Sequence, residues 1–165
     1  AEGSYQEQEY NDENQVIGMT TTDYAYALDG LMIGDMPQTA YVGGLTVKPF
    51  DGLRIQGLYK MYSDNYADWS PDSREIEGDA DRSQVWKAPA YSVLDIHATY
   101  DLPIELGPAK PSLFLHVFNA LDATYIQDAV DNSSYNSWSD THAPSDAEVY
   151  FGLPTAFNLG LKVNF

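Results

Sequence analysis

Cysteine is absent from the 165 residues, basic residues number only eight, and no apolar run approaches the length that crosses a bilayer as a helix. The first absence removes disulfide frameworks, thiol nucleophiles and cysteine-based zinc sites together, and suits passage through an oxidising compartment without mispairing. The second, set against 25 Asp and Glu for a formal net charge of −17, excludes nucleic acid as a partner, because phosphate binding needs clustered Lys and Arg. The third excludes transmembrane helices, which need about 20 consecutive apolar residues. The longest runs, such as Leu113 to Val117 broken by His116, fall far short. Membrane strands need only about 10 residues of alternating character. A hydrophobic content of 44% and a mean hydropathy of −0.37 therefore fit a barrel with polar lumen and loops as well as an ordinary folded domain. No basic n-region or apolar h-region follows Ala1-Glu2-Gly3-Ser4-Tyr5, so no signal peptide is expected within these residues.

What the chain does contain is a period of two. From Thr39 to Lys48, Tyr41, Gly43, Leu45 and Val47 alternate with Ala40, Val42, Gly44, Thr46 and Lys48. From Leu53 to Tyr62 the separation is cleaner: Leu53, Ile55, Gly57, Tyr59 and Met61 oppose Arg54, Gln56, Leu58, Lys60 and Tyr62. Pro49-Phe50-Asp51-Gly52 between them predicts a tight turn. From Val93 to Tyr100, Leu94, Ile96, Ala98 and Tyr100 oppose Val93, Asp95, His97 and Thr99. Asp101 to Pro111, with three prolines and Gly107, makes a second short connection, and Ser112 to Leu121 sets Leu113, Leu115 and Val117 against Phe114, His116 and Phe118. The last segment alternates without exception, Phe157, Leu159, Leu161, Val163 and Phe165 against Asn158, Gly160, Lys162 and Asn164. Tyr5 to Tyr10 is a sixth candidate strand with a poor apolar face. The pattern predicts an all-β fold, an antiparallel up-and-down meander of about six strands.

Three connections are long, residues 11 to 38, 63 to 90 and 122 to 155, and connections of that length are functional or disordered as a rule. They hold 18 of the 25 acids. Short turns at one rim of a sheet and long polar loops at the other is the layout of outer-membrane barrels.

The final residues, Asn158-Leu159-Gly160-Leu161-Lys162-Val163-Asn164-Phe165, resemble the C-terminal signal read by the barrel-assembly machinery, with Asn158, Gly160, Val163 and Phe165 at its fixed positions and Val163 where an aromatic is commoner. Upstream, five segments follow one another in a familiar order: Gly34-Asp35-Met36-Pro37-Gln38, Tyr62-Ser63-Asp64-Asn65-Tyr66-Ala67-Asp68, Trp86-Lys87-Ala88-Pro89-Ala90-Tyr91-Ser92-Val93-Leu94-Asp95, Val117-Phe118-Asn119-Ala120-Leu121-Asp122-Ala123-Thr124-Tyr125 and Tyr150-Phe151-Gly152-Leu153-Pro154. Over roughly residues 30 to 165 the chain resembles the tail of TonB-dependent outer-membrane receptors, particularly the forms found in Bacteroidetes. Thr155 departs from the pattern where the family often has Arg, which puts one rim contact in doubt. The resemblance implies that residues 1–165 are a C-terminal segment of a 22-stranded transmembrane β-barrel whose earlier strands and N-terminal plug lie outside these residues. It further implies location in the bacterial outer membrane, and the lipid bilayer, the barrel-assembly machinery and, through the plug, the TonB complex as partners. The function implied is active uptake of a scarce small molecule or metal chelate, such as a ferric siderophore, haem or cobalamin, without enzymatic activity or a cofactor. A passive porin or adhesin barrel is the alternative, and a soluble β-sandwich binding domain a more distant one.

Parity on the strands selects Arg54, Gln56, Lys60, Asp95 and His97 as lumen-facing ligand contacts, and the last long connection adds Tyr125, Asp128, Trp138 and His142, with aromatic rings for stacking and polar groups for hydrogen bonds. Packing in an interfacial aromatic belt is the competing role for those rings. Asp64, Asp68, Asp72 and Glu75 have a spacing superficially like a calcium-binding loop, but Trp69 stands where such a loop needs Gly, so a solvated acidic loop is expected. His97 and His116 fall at lumen-facing or near-lumen positions of adjacent strands, where ordinary polar wall residues are expected and no metal site is assigned. Ser139-Asp140-Thr141-His142 supplies nucleophile and base types without an elbow or oxyanion element, so no catalytic site is expected.

Overall fold

The computed structural model describes residues 2–26, 28–70, 83–104, 107–132 and 142–164. Asp72, Glu75, Trp138, Ser139, Asp140, Thr141 and Phe165 lie outside them. The fold is all-β, with β1 (Glu2–Tyr10), β2 (Val16–Ala25), β3 (Pro37–Val47), β4 (Leu53–Tyr66), β5 (Lys87–Ala88), β6 (Tyr91–Asp101), β7 (Lys110–Phe118), β8 (Ile126–Asp131), β9 (Ala147–Phe151) and β10 (Ala156–Asn164). The chain divides into two compact units.

One unit comprises residues 34–67, 87–129 and 149–165. Its sheet runs β3-β4-β6-β7-β10 in space, every pair antiparallel, with β5 added to the end of β4. The antiparallel order puts the start of β3, end of β4, start of β6, end of β7 and start of β10 at one end of the sheet, so the long connections all leave from that end. Short turns close the other. Gly52 has φ +84° and a Cβ there would meet the Asp101 carbonyl oxygen at 2.9 Å; the turn therefore needs glycine for both reasons. The Gly52 carbonyl accepts from the Asp101 N–H at 2.9 Å, which ties this turn to the end of β6.

The other unit comprises residues 1–33, 68–86 and 130–148. Tyr5 to Tyr10, the sixth strand expected of the meander, belongs here instead: β1 pairs with β2, which lies within the long connection expected over residues 11 to 38. The hairpin turn is built by Asn11, whose Oδ1 accepts from the N–H of Glu13 at 3.0 Å and of Gln15 at 2.9 Å, with Asn14 at φ 61°. Asn tolerates that conformation and makes such local turns. By sequence alone this unit holds seventeen acids against Arg74 and Arg82, so most of the net charge of the protein resides in it.

Two further boundaries differ from expectation. β7 stops at Phe118 rather than Leu121, because Asn119 turns to φ 48° and takes the chain out of the strand. β4 continues past Tyr62 through Ser63, Asp64 and Asn65, since Ser63 and Asn65 find partners in Thr39 and Pro37, and Asn65 also pairs with Ala88. Ladder partners on both sides override the weak strand preference of these polar residues. β8 and β9, which form a two-stranded sheet of their own, lie within the long connection expected over residues 122 to 155.

The registers bring all the apolar parity positions onto one face of the five-stranded sheet. Tyr41 pairs with Met61, Tyr59 with Leu94, Ile96 with Val117, Leu115 with Leu159 and Leu113 with Leu161. That face is open: Tyr41, Leu45, Phe157, Leu159 and Leu161 are all exposed, Leu45 at 72% and Phe157 at 73%. Among the described residues the fully buried apolar ones are small, Ala67, Ala88, Val93 and Ala129 in this unit and Val85 in the other, and no large apolar side chain of the sheet is fully buried.

On the opposite face, the Phe114 ring of β7 lies directly over Gly160, its registered partner on β10, where any Cβ would clash with the ring. Replacing Gly160 with Val is expected to cost about 1–3 kcal/mol through forced displacement of that ring. Urea unfolding checks it, and adding Phe114→Leu should recover most of the loss.

Candidate functional site

The polar face of the sheet places the parity-selected residues in rows. At one level Gln56 of β4 pairs with His97 of β6, His97 with His116 of β7, and His116 with Asn158 of β10. The two imidazoles meet Nδ1 to Nδ1 at 2.7 Å, with ring centroids 4.8 Å apart and planes inclined at 65°. Phe118 stands 5.8 Å from the His97 ring and Phe114 5.3 Å from the His116 ring. A contact that short joins a protonated nitrogen to an unprotonated one. Arg54 is exposed one level along, opposite Thr99.

Nearer the end from which the long connections leave, Lys60 Nζ lies 2.5 Å from Asp95 Oδ2. Asp95 is 5% exposed, and its other oxygen accepts from the Asn119 backbone N–H at 3.0 Å. Burying a carboxylate is costly unless it is paired and hydrogen-bonded, and both conditions hold. Lys60 and Asp95 thus bind each other before they can bind a ligand.

Asn119, 3% exposed, gathers the chain at the same rim. Its Nδ2 donates to the carbonyls of Ala123 at 2.9 Å and Leu153 at 3.1 Å, and its Oδ1 accepts from the Ala123 N–H at 3.0 Å. The Thr155 hydroxyl donates to the Asn119 carbonyl at 2.7 Å, and the Thr155 N–H to Asp122 Oδ1 at 3.2 Å. Thr155 therefore makes rim contacts of its own. The sequence offered Asn119 only as part of a motif, since a buried hub is not visible in local pattern.

Tyr125 does not present an open ring. It stacks on Tyr91 with centroids 4.4 Å apart, and Tyr91 leans on Tyr62 at 5.1 Å. Beside this stack an open groove of about 420 Å³ is lined by Tyr41, Met61, Tyr62, Tyr91, Ser92 and Thr124, among others. Asp128 lies on β8, half-buried, its Oδ1 2.8 Å from the Ala129 N–H. Close to the stack, Lys87 binds Asp64 and lies 5.8 Å from the Tyr66 ring centroid. The hydrogen bond with Asp64 holds the Lys87 ammonium above its ordinary value.

His142 belongs to the acid-rich unit, where its Nδ1 lies 2.6 Å from Asp131 Oδ2 and both side chains are buried. Asp131 Oδ2 also accepts from the Trp86 N–H at 3.3 Å. Trp138 and the Ser139-Asp140-Thr141 segment lie outside the described residues, as does Phe165 at the end of the last alternating segment. In that segment Asn158 and Val163 are exposed and Gly160 lies under Phe114. Among the described residues no group of three or more His, Asp and Glu is placed to hold a metal ion.

No family model matches the chain, and no curated protein or solved structure matches it either.

Asn119→Ala removes three buried hydrogen bonds and leaves the Ala123 N–H and Leu153 carbonyl without them, an expected loss of about 2–4 kcal/mol. Asn119→Gly relieves the positive φ but not the lost bonds, so it should remain clearly destabilised in the same urea titration.

Proposed function

We propose that this chain forms part of the wall of an outer-membrane β-barrel, and that the protein is an import receptor of the TonB-dependent kind. It would take up a scarce ligand such as a ferric siderophore, haem or cobalamin, and perform no covalent chemistry. The observation that carries the reading is the apolar face of the five-stranded sheet. Its strands are 9 to 14 residues long, against about 9–11 needed to cross a bilayer at a tilt, and their registers align one apolar face across all five, exposed on β3 and β10 and half-buried on β6. Monomeric soluble proteins rarely leave a surface of that extent open. Lipid is the solvent that suits it, with the polar face of Arg54, Gln56, His97 and Asn158 toward a water-filled lumen.

The receptor reading draws support from where its motif segments come together. Val117–Tyr125 and Tyr150–Pro154 are far apart in sequence, yet Asn119 binds the Leu153 carbonyl and the Gly152 N–H donates to the Tyr125 carbonyl at 2.9 Å. These two segments thus meet at one corner of the sheet. The concentration of acids in the long connections favours a neutral or cationic ligand over a strongly anionic one.

A pair of substitutions on opposite faces of β10 tests the membrane assignment. Leu159 is 70% exposed, so Leu159→Arg would change the stability of a soluble protein by no more than about 0.5 kcal/mol. On a lipid-facing strand it should cost about 2–4 kcal/mol near mid-bilayer and prevent recovery of folded protein in outer-membrane fractions. Asn164→Arg, on the polar face of the same strand and outside the fixed positions of the terminal pattern, should assemble normally. Equal recovery of both variants would sink the barrel reading.

A further inference from the structure

The His97–His116 contact has a chemistry that a polar wall does not require. Directly opposed residues on adjacent antiparallel strands have Cβ atoms about 4.5–5.5 Å apart, which lets two imidazoles converge, and here they converge through the same nitrogen, Nδ1 to Nδ1 at 2.7 Å. Two nitrogen ligands about 2.0–2.1 Å from one metal ion stand about 2.9 Å apart in a cis square-planar arrangement and about 3.3 Å apart in a tetrahedral one. A small opening of the pair therefore reaches the first geometry, and a larger one the second.

The surroundings complete the case. Gln56 and Asn158 flank the two histidines at the same level of the sheet, one on β4 and one on β10, and each carries an amide oxygen able to act as a further donor. Phe114 and Phe118, beside the pair, form an apolar border that limits competing water. Asp95, on the same face two residues before His97, is neutralised by Lys60, so the two imidazoles, not a carboxylate, would set the preference of the site.

We propose that His97 and His116 form a two-imidazole chelate for a divalent transition-metal ion, with Gln56 and Asn158 at its margins and copper(II) the ion whose square-planar preference fits best. Imidazole ligands suit copper, nickel and zinc, and copper(II) heads the affinity order for a given nitrogen site. With both rings neutral, binding converts the donor ring to its Nε2–H tautomer so that both Nδ1 lone pairs face the metal, and no proton is released. The inference stands on the contact between the two rings and not on what covers the opposite face of the sheet.

The test is titration of the purified protein with copper(II) alone, followed by electron paramagnetic resonance of the bound ion. One equivalent is expected to bind with hyperfine coupling from two imidazole nitrogens. His97→Gln and His116→Gln should each weaken it at least about tenfold, and His142→Gln should leave it unchanged. Coupling from fewer than two imidazoles in the parent protein would overturn the proposal, whatever the variants do to folding. So would unchanged affinity in His97→Gln and His116→Gln variants that keep their strand circular dichroism, or a loss confined to His142→Gln.

Discussion

Antiparallel register is the constraint on which the remaining features depend. Side chains on a strand alternate between faces, so a slip of one residue in any pair would carry a whole strand's apolar set to the wrong side. Five strands hold the same phase here: Met61 meets Tyr41, Ile96 meets Val117 and Leu159 meets Leu115. The same registers set His97 against His116 and place Lys60 within reach of Asp95. The apolar surface and the polar rows are two consequences of one pairing scheme.

At the rim, a few buried polar groups do what a core does elsewhere. Asp95 and Asn119 are both nearly inaccessible, and between them they join β4, β6, the corner after β7 and the approach to β10. Fully satisfied networks of this kind define a single geometry, and partly satisfied ones are costly. The left-handed turns at Asn119 and Asp122 lead the chain out of β7 and back toward Thr155.

Alternation made the five antiparallel strands of the main sheet legible in the sequence, and their registers keep each parity set together on one face. Other elements escaped for identifiable reasons. β2 has Val16, Ile17 and three consecutive threonines, a β-branched signal, but lacks a one-sided apolar face. β8 and β9 are short and polar, and β5 has two residues whose pairing depends wholly on Asn65 and Tyr66 of β4. In the site, parity located His97, Lys60 and Asp95, but could not say that the last two would be joined to each other. Nor could it say that Tyr125 would spend its ring on Tyr91, since a stack between residues 34 positions apart leaves no periodic trace.

Among the described residues, the sheet order leaves β3 and β10 with a neighbouring strand on one side only. In water such an edge is a tolerable liability, solvated or shielded by charge. In hydrocarbon each unmet backbone group costs several kcal/mol, so no intermediate with an open seam is a resting state there. If the sheet closes into the proposed barrel, stability belongs to the ring as a whole, and damage to a distant strand would reach Gly160 and His116 as well.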